Sequence, residues 1–153
     1  MANRPRVASV DTNVVSAIVR DNEYSAGYLE LLTDFDPALT FFVRGELAAA
    51  NWSRRRADRL AEILRQYESL PDPDFRTINA FTVIRSAARS LGIGKALGSD
   101  AWILAQTAAL GIPFISHGGN AIRTAKRAGI ECHTLNHRAL RLVSEDTARI
   151  GES

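Results

Sequence analysis

The sequence has little cysteine and no long hydrophobic run. Of its 153 residues only Cys132 is a cysteine, so an internal disulfide cannot form, and this favours a reducing compartment. No segment approaches the roughly 18 apolar residues that a membrane span requires. The first ten residues lack the apolar core of a signal peptide. We therefore expect a cytoplasmic protein that does not enter a membrane.

Lysine is also scarce. Lys95 and Lys126 are the only lysines, so arginine supplies almost all of the positive charge, and the formal net charge is +2. Arginine suits phosphate recognition because of its planar fork of donors, but an arginine-rich chain can equally reflect a coding bias. The sequence contains no GxxxxGK[ST] motif, which excludes a P-loop nucleotide site. Charge alone therefore does not identify a partner.

The composition is that of an ordinary globular protein, with 46% hydrophobic and 24% charged residues. It excludes a disordered, collagenous or low-complexity chain. The length predicts one domain over residues 1–153, with a core at about 7–135 and a polar C-terminal extension at about 136–153 whose structure the pattern does not define.

Apolar runs alternate with helical periodicity along the chain. Short apolar runs predict strands at 7–10, 40–43, 112–116 and 130–135, and a short edge strand at 75–78. Helical periodicity predicts helices at 14–20, 25–33, 44–50, 54–69, 101–110 and 121–128, with a further helical stripe over 84–91. This alternation favours a parallel sheet covered by helices on both faces, whose functional site lies at the carboxyl ends of the strands.

Three carboxylates are predicted to meet at that edge. Asp11 follows the first strand, Glu46 lies one helical turn after the strand at 40–43, and Asp100 begins the helix that leads to the strand at 112–116. Three carboxylates in one pocket repel each other by roughly 4 kcal/mol per pair at about 4 Å and an effective dielectric of about 20. A divalent cation relieves this repulsion, and hard oxygen ligands select Mg²⁺ or Mn²⁺.

Each acid also has a purely structural interpretation. Asp11 and Asp100 are suitable helix N-caps, and Glu46 in a first helical turn would complement the helix dipole. The hypothesis of a metal site therefore depends on the joint spacing of the three acids. No single one of them would carry it.

Three segments together resemble a known family. The segments VDTNVVSAI, RGELAAAN and SDAWILAQTAALGIPFIS resemble the PIN-domain ribonucleases, in particular the toxins of bacterial VapBC toxin–antitoxin pairs, and the resemblance extends over about 7–135. It implies a three-layer α/β/α fold with a parallel sheet of four to five strands. It also implies an endoribonuclease toxin that uses Mg²⁺ or Mn²⁺ to hydrolyse RNA phosphodiester bonds and that is neutralised by a cognate antitoxin. A homodimer is expected on the same grounds.

The resemblance assigns roles to individual residues. It implies that Asp11, Glu46 and Asp100 are both the catalytic residues and the metal ligands. The residues it implies as supporting polar groups are Thr12 and Asn13, which follow the first acid, and Ser116, which ends the fourth strand.

The sequence departs from the family pattern at one position. The family usually has Asp or Asn two residues after the hydroxyl of the fourth strand, where this chain has Gly118. Asn120 or His117 would have to reach the site instead. Alternatively, Gly118 and Gly119 present backbone N–H groups to a phosphate, or the segment is an ordinary loop with Asn120 as a helix N-cap.

A basic segment supplies a further hypothesis. Arg54, Arg55 and Arg56, next to Trp52, would contact RNA or a partner protein, or they form the solvated start of a helix. Besides the toxin, the sequence permits a catalytically degenerate PIN fold that only binds RNA or a partner. A phospho-acceptor receiver domain is excluded, because the paired acids after the first strand and the lysine after a late strand are missing.

Overall fold

The centre of the molecule is a parallel sheet. The computed structural model describes residues 4–151 of the chain. The strands of this part are β1 (Arg6–Val10), β2 (Phe35–Leu39), β3 (Glu68–Ser69), β4 (Phe114–Ile115) and β5 (Cys132–His133). They form one five-stranded sheet in the order β3-β2-β1-β4-β5, and every pairing is parallel.

Helices connect the strands and follow the last one. They are α1 (Thr12–Arg20), α2 (Ser25–Leu32), α3 (Phe41–Ala49), α4 (Arg54–Gln66), α5 (Phe75–Ser90), α6 (Gly94–Leu97), α7 (Asp100–Leu110), α8 (Gly119–Arg127) and α9 (His137–Gly151). Within residues 4–151, no helix is both long enough and apolar enough to cross a membrane.

The helices form a layer on each face of the sheet, which confirms the predicted three-layer α/β/α fold. The chain moves from β1 to β2 and β3 on one side, and then crosses to β4 and β5 on the other. Since parallel crossovers are right-handed, the helices before β3 and those after it lie on opposite faces. The Thr107 hydroxyl of α7 donates to Ser9 Oγ at 2.9 Å, which fixes α7 to one face of β1. Ala8 and Val10, which alternate with Ser9, are fully buried in the core.

The strand predicted at 40–43 is wrong. The structure has β2 at Phe35–Leu39, and the residues from Phe41 onward form α3. Thr40 is the N-cap of that helix, and its Oγ1 accepts a hydrogen bond from Val43 N at 3.1 Å. The aromatic and β-branched residues that resemble a strand therefore begin a helix, while Pro37 obscures the strand before it. Glu46 follows β2 and lies in α3. Because α3 begins at Phe41, Glu46 lies in the second turn of the helix and not in the first turn that the sequence suggested.

The edge strand predicted at 75–78 is also wrong. These residues are the first turn of α5, because Asp74 caps the helix and accepts a hydrogen bond from Arg76 N at 2.9 Å. The edge strand is instead β3, which was predicted as the end of a helix. It pairs with β2, with Leu39 opposite Ser69.

The C-terminal segment, which the sequence pattern left undefined, forms α9. A bidentate ion pair holds it to α8, with Arg123 Nε and Nη2 each 2.8 Å from a carboxylate oxygen of Asp146. Both side chains are nearly buried, so the pair is far better shielded from water than a surface ion pair. The start of α8 lies at Gly119, and its N-cap is Gly118, so the hypothesis that Asn120 caps this helix is wrong.

Candidate functional site

The candidate site lies between β1 and β4, where the order in which the chain adds strands to the sheet reverses. β1 and β4 are neighbours, yet the chain leaves them toward opposite sides, and their carboxyl ends open a crevice between the helices. Asp11 follows β1 directly and its N donates to Ile115 O at 2.9 Å. Ser116 follows β4. The sheet therefore brings together two residues that are far apart in the sequence.

Asp11 is the most buried carboxylate of this edge, with 2% of its surface exposed. It is the N-cap of α1, and its Oδ1 accepts a hydrogen bond from Thr12 N at 2.8 Å. Its Oδ2 accepts one from Ser116 Oγ at 2.7 Å. The structural and the functional interpretations of Asp11 are thus compatible, because the cap fixes the carboxylate at the strand end.

The electrostatic surroundings of Asp11 disfavour its charge. Burial and then the negative charge of Asp100 raise its pKa to about 7, with a smaller contribution from Glu46. The hydrogen bonds from Ser116 and Thr12 oppose this shift. The three predicted acids are therefore close enough to repel each other, and the charged state of the cluster is costly without a counter-ion.

Asp100 has a free carboxylate at the start of α7. The N-cap position belongs to Ser99, so Asp100 is the first helical residue and not the cap that its sequence position suggested. Within residues 4–151, no hydrogen bond or ion pair to the Asp100 carboxylate occurs. Burial and the charge of Glu46 both raise its pKa.

Glu46 reaches the same cluster from α3. This helix packs against both α1, whose N-cap is Asp11, and α7, whose first residue is Asp100. The Oε1 atom of Glu46 is buried, and no hydrogen-bond partner for it is found in the described chain. A buried carboxylate oxygen without a donor is costly, and a cation or an ordered water would satisfy it.

The donor set fits a hard divalent cation, although the side chains do not form a finished ligand shell. The unpartnered Glu46 oxygen and the mutual repulsion with Asp11 and Asp100 favour a cation. Among the residues that the structure describes, however, no three His, Cys, Asp or Glu side chains are close enough together to hold an ion as they stand.

Ser116 joins the acid to the loop after β4. Its buried hydroxyl donates to Asp11 and accepts hydrogen bonds from Gly118 N at 3.0 Å and from Asn13 Nδ2 at 3.4 Å. Asn13 Oδ1 in turn accepts from His117 N at 3.1 Å. Hydrogen bonds through the Ser116 hydroxyl therefore link Asn13 and the loop after β4 to Asp11.

Gly118 leaves room for the Asn13 side chain. A Cβ atom at position 118 would lie 3.1 Å from Asn13 Nδ2 and 3.5 Å from Ser116 Oγ. A side chain at position 118 would therefore press against the Asn13 amide. This accounts for glycine at the position where the sequence departs from the family pattern.

Two residues that the sequence did not single out hold His117 in place. Tyr28 Oη and His117 Nδ1 form a hydrogen bond of 2.6 Å, and Asn136 Nδ2 donates to His117 O at 2.7 Å. Tyr28 is fully buried, and in the sequence it is indistinguishable from a core residue. Burial lowers the pKa of His117, although the charge of Glu23 opposes this shift, so the ring is neutral near pH 7.

The side chains of the remaining predicted residues are not joined to the acids by hydrogen bonds. Thr12 Oγ1 is buried next to Asp11 and lacks a partner in the part of the chain described here. Asn120 is half-buried in the first turn of α8, and none of the hydrogen bonds within residues 4–151 involves its side chain. The arginines Arg54, Arg55 and Arg56 are exposed in the first turn of α4.

Trp52 is less available for stacking than its sequence position suggested. Its indole Nε1 donates to Leu47 O at 2.9 Å. The Arg20 guanidinium lies over its ring, 4.9 Å from the centroid. Arg20 therefore covers one face of the indole.

Comparisons with known proteins agree with this architecture. A family model described as PIN domain matches residues 8–127. No curated protein matches the sequence significantly. Among solved structures, the chain is similar to VapBC2 from Rickettsia felis bound to a DNA fragment from their promoter, with a TM-score of 0.65 and 16% identity over 84% of this chain and 98% of that one.

Two further solved structures are similar to this chain, with comparable sequence identities. DNA-bound VapBC from Salmonella typhimurium gives a TM-score of 0.63 at 18% identity, covering 84% of this chain and 98% of that one. FitAcB from Neisseria gonorrhoeae gives a TM-score of 0.55 at 20% identity, covering 82% of this chain and 95% of that one. At these identities the likeness is one of fold.

Proposed function

The chain belongs to the PIN domain family, and from this premise we propose that it is a metal-dependent endoribonuclease toxin of the VapC type. The observation that carries the proposal is the cluster of Asp11, Glu46 and Asp100 at the switch point of the sheet. Burial and mutual repulsion raise the pKa values of Asp11 and Asp100. A structural role alone does not require three carboxylates whose charges oppose each other.

Asp11, Glu46 and Asp100 would hold Mg²⁺ or Mn²⁺. The bound ion would supply positive charge for the phosphate and lower the pKa of a coordinated water. The unpartnered Oε1 of Glu46 and the free carboxylate of Asp100 support this assignment, because both have lone pairs that no protein donor uses in the described residues. Glu46 would bind the ion or orient the attacking water.

The chain's own residues fix the geometry of the site. Ser116 holds one oxygen of Asp11 and the Thr12 backbone holds the other, so the carboxylate cannot rotate freely. Asn13 links Ser116 to the loop after β4. Such a fixed arrangement lowers the reorganisation that hydrolysis requires. Thr12, whose hydroxyl is buried beside Asp11, and Asn120 at the start of α8 complete the proposed set of supporting polar groups.

RNA would approach the acids along exposed basic groups. Arg54, Arg55 and Arg56 would make this contact or one with a partner protein, since all three are exposed. Arginine contacts with phosphates would position the strand without reading its sequence.

A cognate antitoxin and a second copy of the chain are the proposed partners. The similar structures are described as VapBC and FitAcB, in support of an antitoxin. An apolar surface supports the homodimer. It consists of Phe41, Phe42, Phe75, Ile78 and Trp102, in which Phe75 is 70% and Ile78 61% exposed. Exposed apolar groups at such density are typical of a surface that a partner covers.

Cleavage of total RNA by the purified protein tests the enzymatic proposal. We expect wild type to cut RNA with Mn²⁺ or Mg²⁺ and to be inactive with EDTA. Asp11→Asn should lose activity, whereas Asp58→Asn, which changes an exposed carboxylate on α4, should retain it. A folded wild type that leaves RNA intact in the presence of either metal would contradict the proposal.

A second candidate function is a PIN fold that binds RNA or a partner without cleaving RNA. The absence of a preformed group of three metal-binding side chains in residues 4–151 favours it, as does glycine at position 118. Such a protein would bind Mn²⁺ poorly and cut nothing. Cleavage that is lost in Asp11→Asn would exclude it.

A further inference from the structure

Two aromatic rings lie against each other at the edge of the acidic site. The ring of His117 is tilted by 46° against the ring of Tyr24, and their centroids are 4.3 Å apart. Tyr28 meets His117 edge-on, with centroids 5.7 Å apart. Tyr24 is 37% exposed, and the Tyr24 side chain takes part in no hydrogen bond within the described ranges. The pair therefore presents aromatic surface that is not used for packing.

The ring of His117 is fixed and not free to rotate into solvent. Its Nδ1 is bound to Tyr28 Oη, and its backbone N and O are bound by Asn13 and Asn136. Tyr28 Oη itself accepts a hydrogen bond from Leu135 N at 3.2 Å. The fixed ring loses little conformational entropy when a ligand stacks on the pair.

The pair is adjacent to the carboxylate cluster. His117 directly follows Ser116, whose hydroxyl is 2.7 Å from Asp11 Oδ2. Asp11 is also close enough to Tyr28 for its charge to help raise the pKa of the Tyr28 phenol, whose main cause is burial. A ligand that has one group at the carboxylate cluster can therefore place a neighbouring group on the Tyr24 and His117 rings.

The charges near the pair favour a neutral ligand group. The turn that precedes Tyr24 carries Asp21 and Glu23, and both are exposed. Negative side chains repel a phosphate but do not prevent stacking of an uncharged ring. Aromatic side chains next to a nuclease site are suitable for a nucleobase that is not paired.

We propose that Tyr24 and His117 form a stacking site for one unpaired nucleobase of the RNA, next to the phosphate that lies at Asp11. This inference rests on the proposed function, since it requires RNA at the acidic site. It specifies that the substrate is single-stranded at the site. A paired base could not leave its stack without an additional energetic cost.

Binding without cleavage tests the stacking site. Two labelled probes are titrated in EDTA: a single-stranded oligouridylate of about ten nucleotides, and an abasic ribose-phosphate strand of the same length. Tyr24→Ala should weaken binding of the oligouridylate by about 5- to 100-fold and leave binding of the abasic strand unchanged. Tyr24→Phe keeps the ring and should bind both probes as wild type does.

His117→Ala provides a second variant, and circular dichroism checks that each variant is folded. Unchanged oligouridylate binding in Tyr24→Ala would overturn the stacking site and assign the pair to packing or to a protein contact. An equal loss for both probes would also overturn it. Metal-dependent cleavage is measured separately. Cleavage by wild type with no effect of Tyr24→Ala on either assay contradicts the stacking site alone.

Loss of oligouridylate binding in Tyr24→Ala, with a wild type that does not cleave, supports the stacking site and contradicts the nuclease. A wild type that binds neither probe overturns the stacking site, whereas the nuclease is decided by the metal-dependent cleavage assay alone.

Discussion

The Ser116 hydroxyl donates a hydrogen bond to Asp11 Oδ2 across the boundary between β4 and β1, at 2.7 Å. The Ser116 Oγ atom also accepts hydrogen bonds from Gly118 N and Asn13 Nδ2. Since a hydroxyl has one proton and two lone pairs, its hydrogen-bonding capacity is fully used. Its proton must therefore point at Asp11, and the hydrogen bond favours the charged form of that carboxylate.

Ser116→Ala should destabilise the protein and reduce activity. The substitution leaves Gly118 N and Asn13 Nδ2 without an acceptor, which costs roughly 1–3 kcal/mol. It also removes the hydrogen bond that lowers the pKa of Asp11, so that carboxylate should titrate at a higher pH. Thermal unfolding and the pH profile of cleavage measure the two effects. Ser86→Ala, at an exposed position on α5, is the control and should change neither.

The metal-free protein should lose stability as the pH rises from about 4 to about 7. The unfolded Asp11 has an ordinary pKa near 3.8, whereas the folded one has a pKa of about 7, so the folded state binds the additional proton in this range. Asp11→Asn removes this dependence. In EDTA, the free energy of unfolding of Asp11→Asn relative to that of wild type should be about 2.5 kcal/mol more favourable at pH 8 than at pH 5.

Chemical denaturation at the two pH values tests this sign. A relative stability that is the same at pH 5 and pH 8 would contradict the raised pKa of Asp11. If Asp11→Asn does not fold at either pH, Asp11 acts mainly as the N-cap of α1, and its assignment as a catalytic residue is weakened.

Mn²⁺ should stabilise wild type, because the ion binds only the folded carboxylate cluster. At about ten times its dissociation constant a ligand adds about 1.4 kcal/mol, which corresponds to a rise in Tm of about 3–6 °C for a protein of this size. Asp100→Asn and Glu46→Gln should each reduce the rise. Differential scanning fluorimetry at constant ionic strength measures it. An unchanged Tm in wild type would count against a metal site.

Gly118→Ala should destabilise the protein by about 1 kcal/mol, since its Cβ would press on Asn13 Nδ2 at 3.1 Å. The backbone at Gly118 has an ordinary φ of −74°, so strain is not the cause. Gly119→Ala is the matched control: the neighbouring position has no atom within 4 Å of the added Cβ, and alanine favours the helix. Equal unfolding midpoints for the two variants would show that Asn13 moves aside at no cost.

Phe75→Glu should weaken the proposed homodimer. Phe75 is 70% exposed at the start of α5, and a charge in a buried interface is costly. Sedimentation velocity should give a dimer for wild type and a monomer for the variant. Leu29→Glu, which changes an exposed leucine on α2, is the control and should remain dimeric. A wild type that sediments as a monomer would refute the dimer itself.

The sequence predicted those parts of the fold that follow from periodicity and strand ends. The placement of Asp11 after β1 and of Asp100 before β4 required only the alternation of strands and helices. The position of β2 was not predictable in this way, because Pro37 is untypical of a strand in the sequence and Phe41 to Val43 have strand-like side chains at the start of a helix. Helix capping by Thr40 decided between the two alternatives.

The polar network around the acids could not be predicted, for a different physical reason. Tyr28 lies on a helix where every third or fourth residue is apolar, and periodicity describes which face is buried but not where a hydroxyl points. Asn136 contacts His117 only because β5 brings it beside β4. Such hydrogen bonds depend on the assembled sheet.

The pairing of β1 with β4 determines when the site can form during synthesis of the chain. Asp11 and Ser116 are 105 positions apart, and Asp100 also belongs to the later part of the chain. Synthesis proceeds from the N-terminus, and a strand cannot pair with a neighbour that the ribosome has not yet released. A growing chain therefore carries Asp11 and Glu46 without their partners, and the proposed nuclease site is assembled only after β4 has emerged.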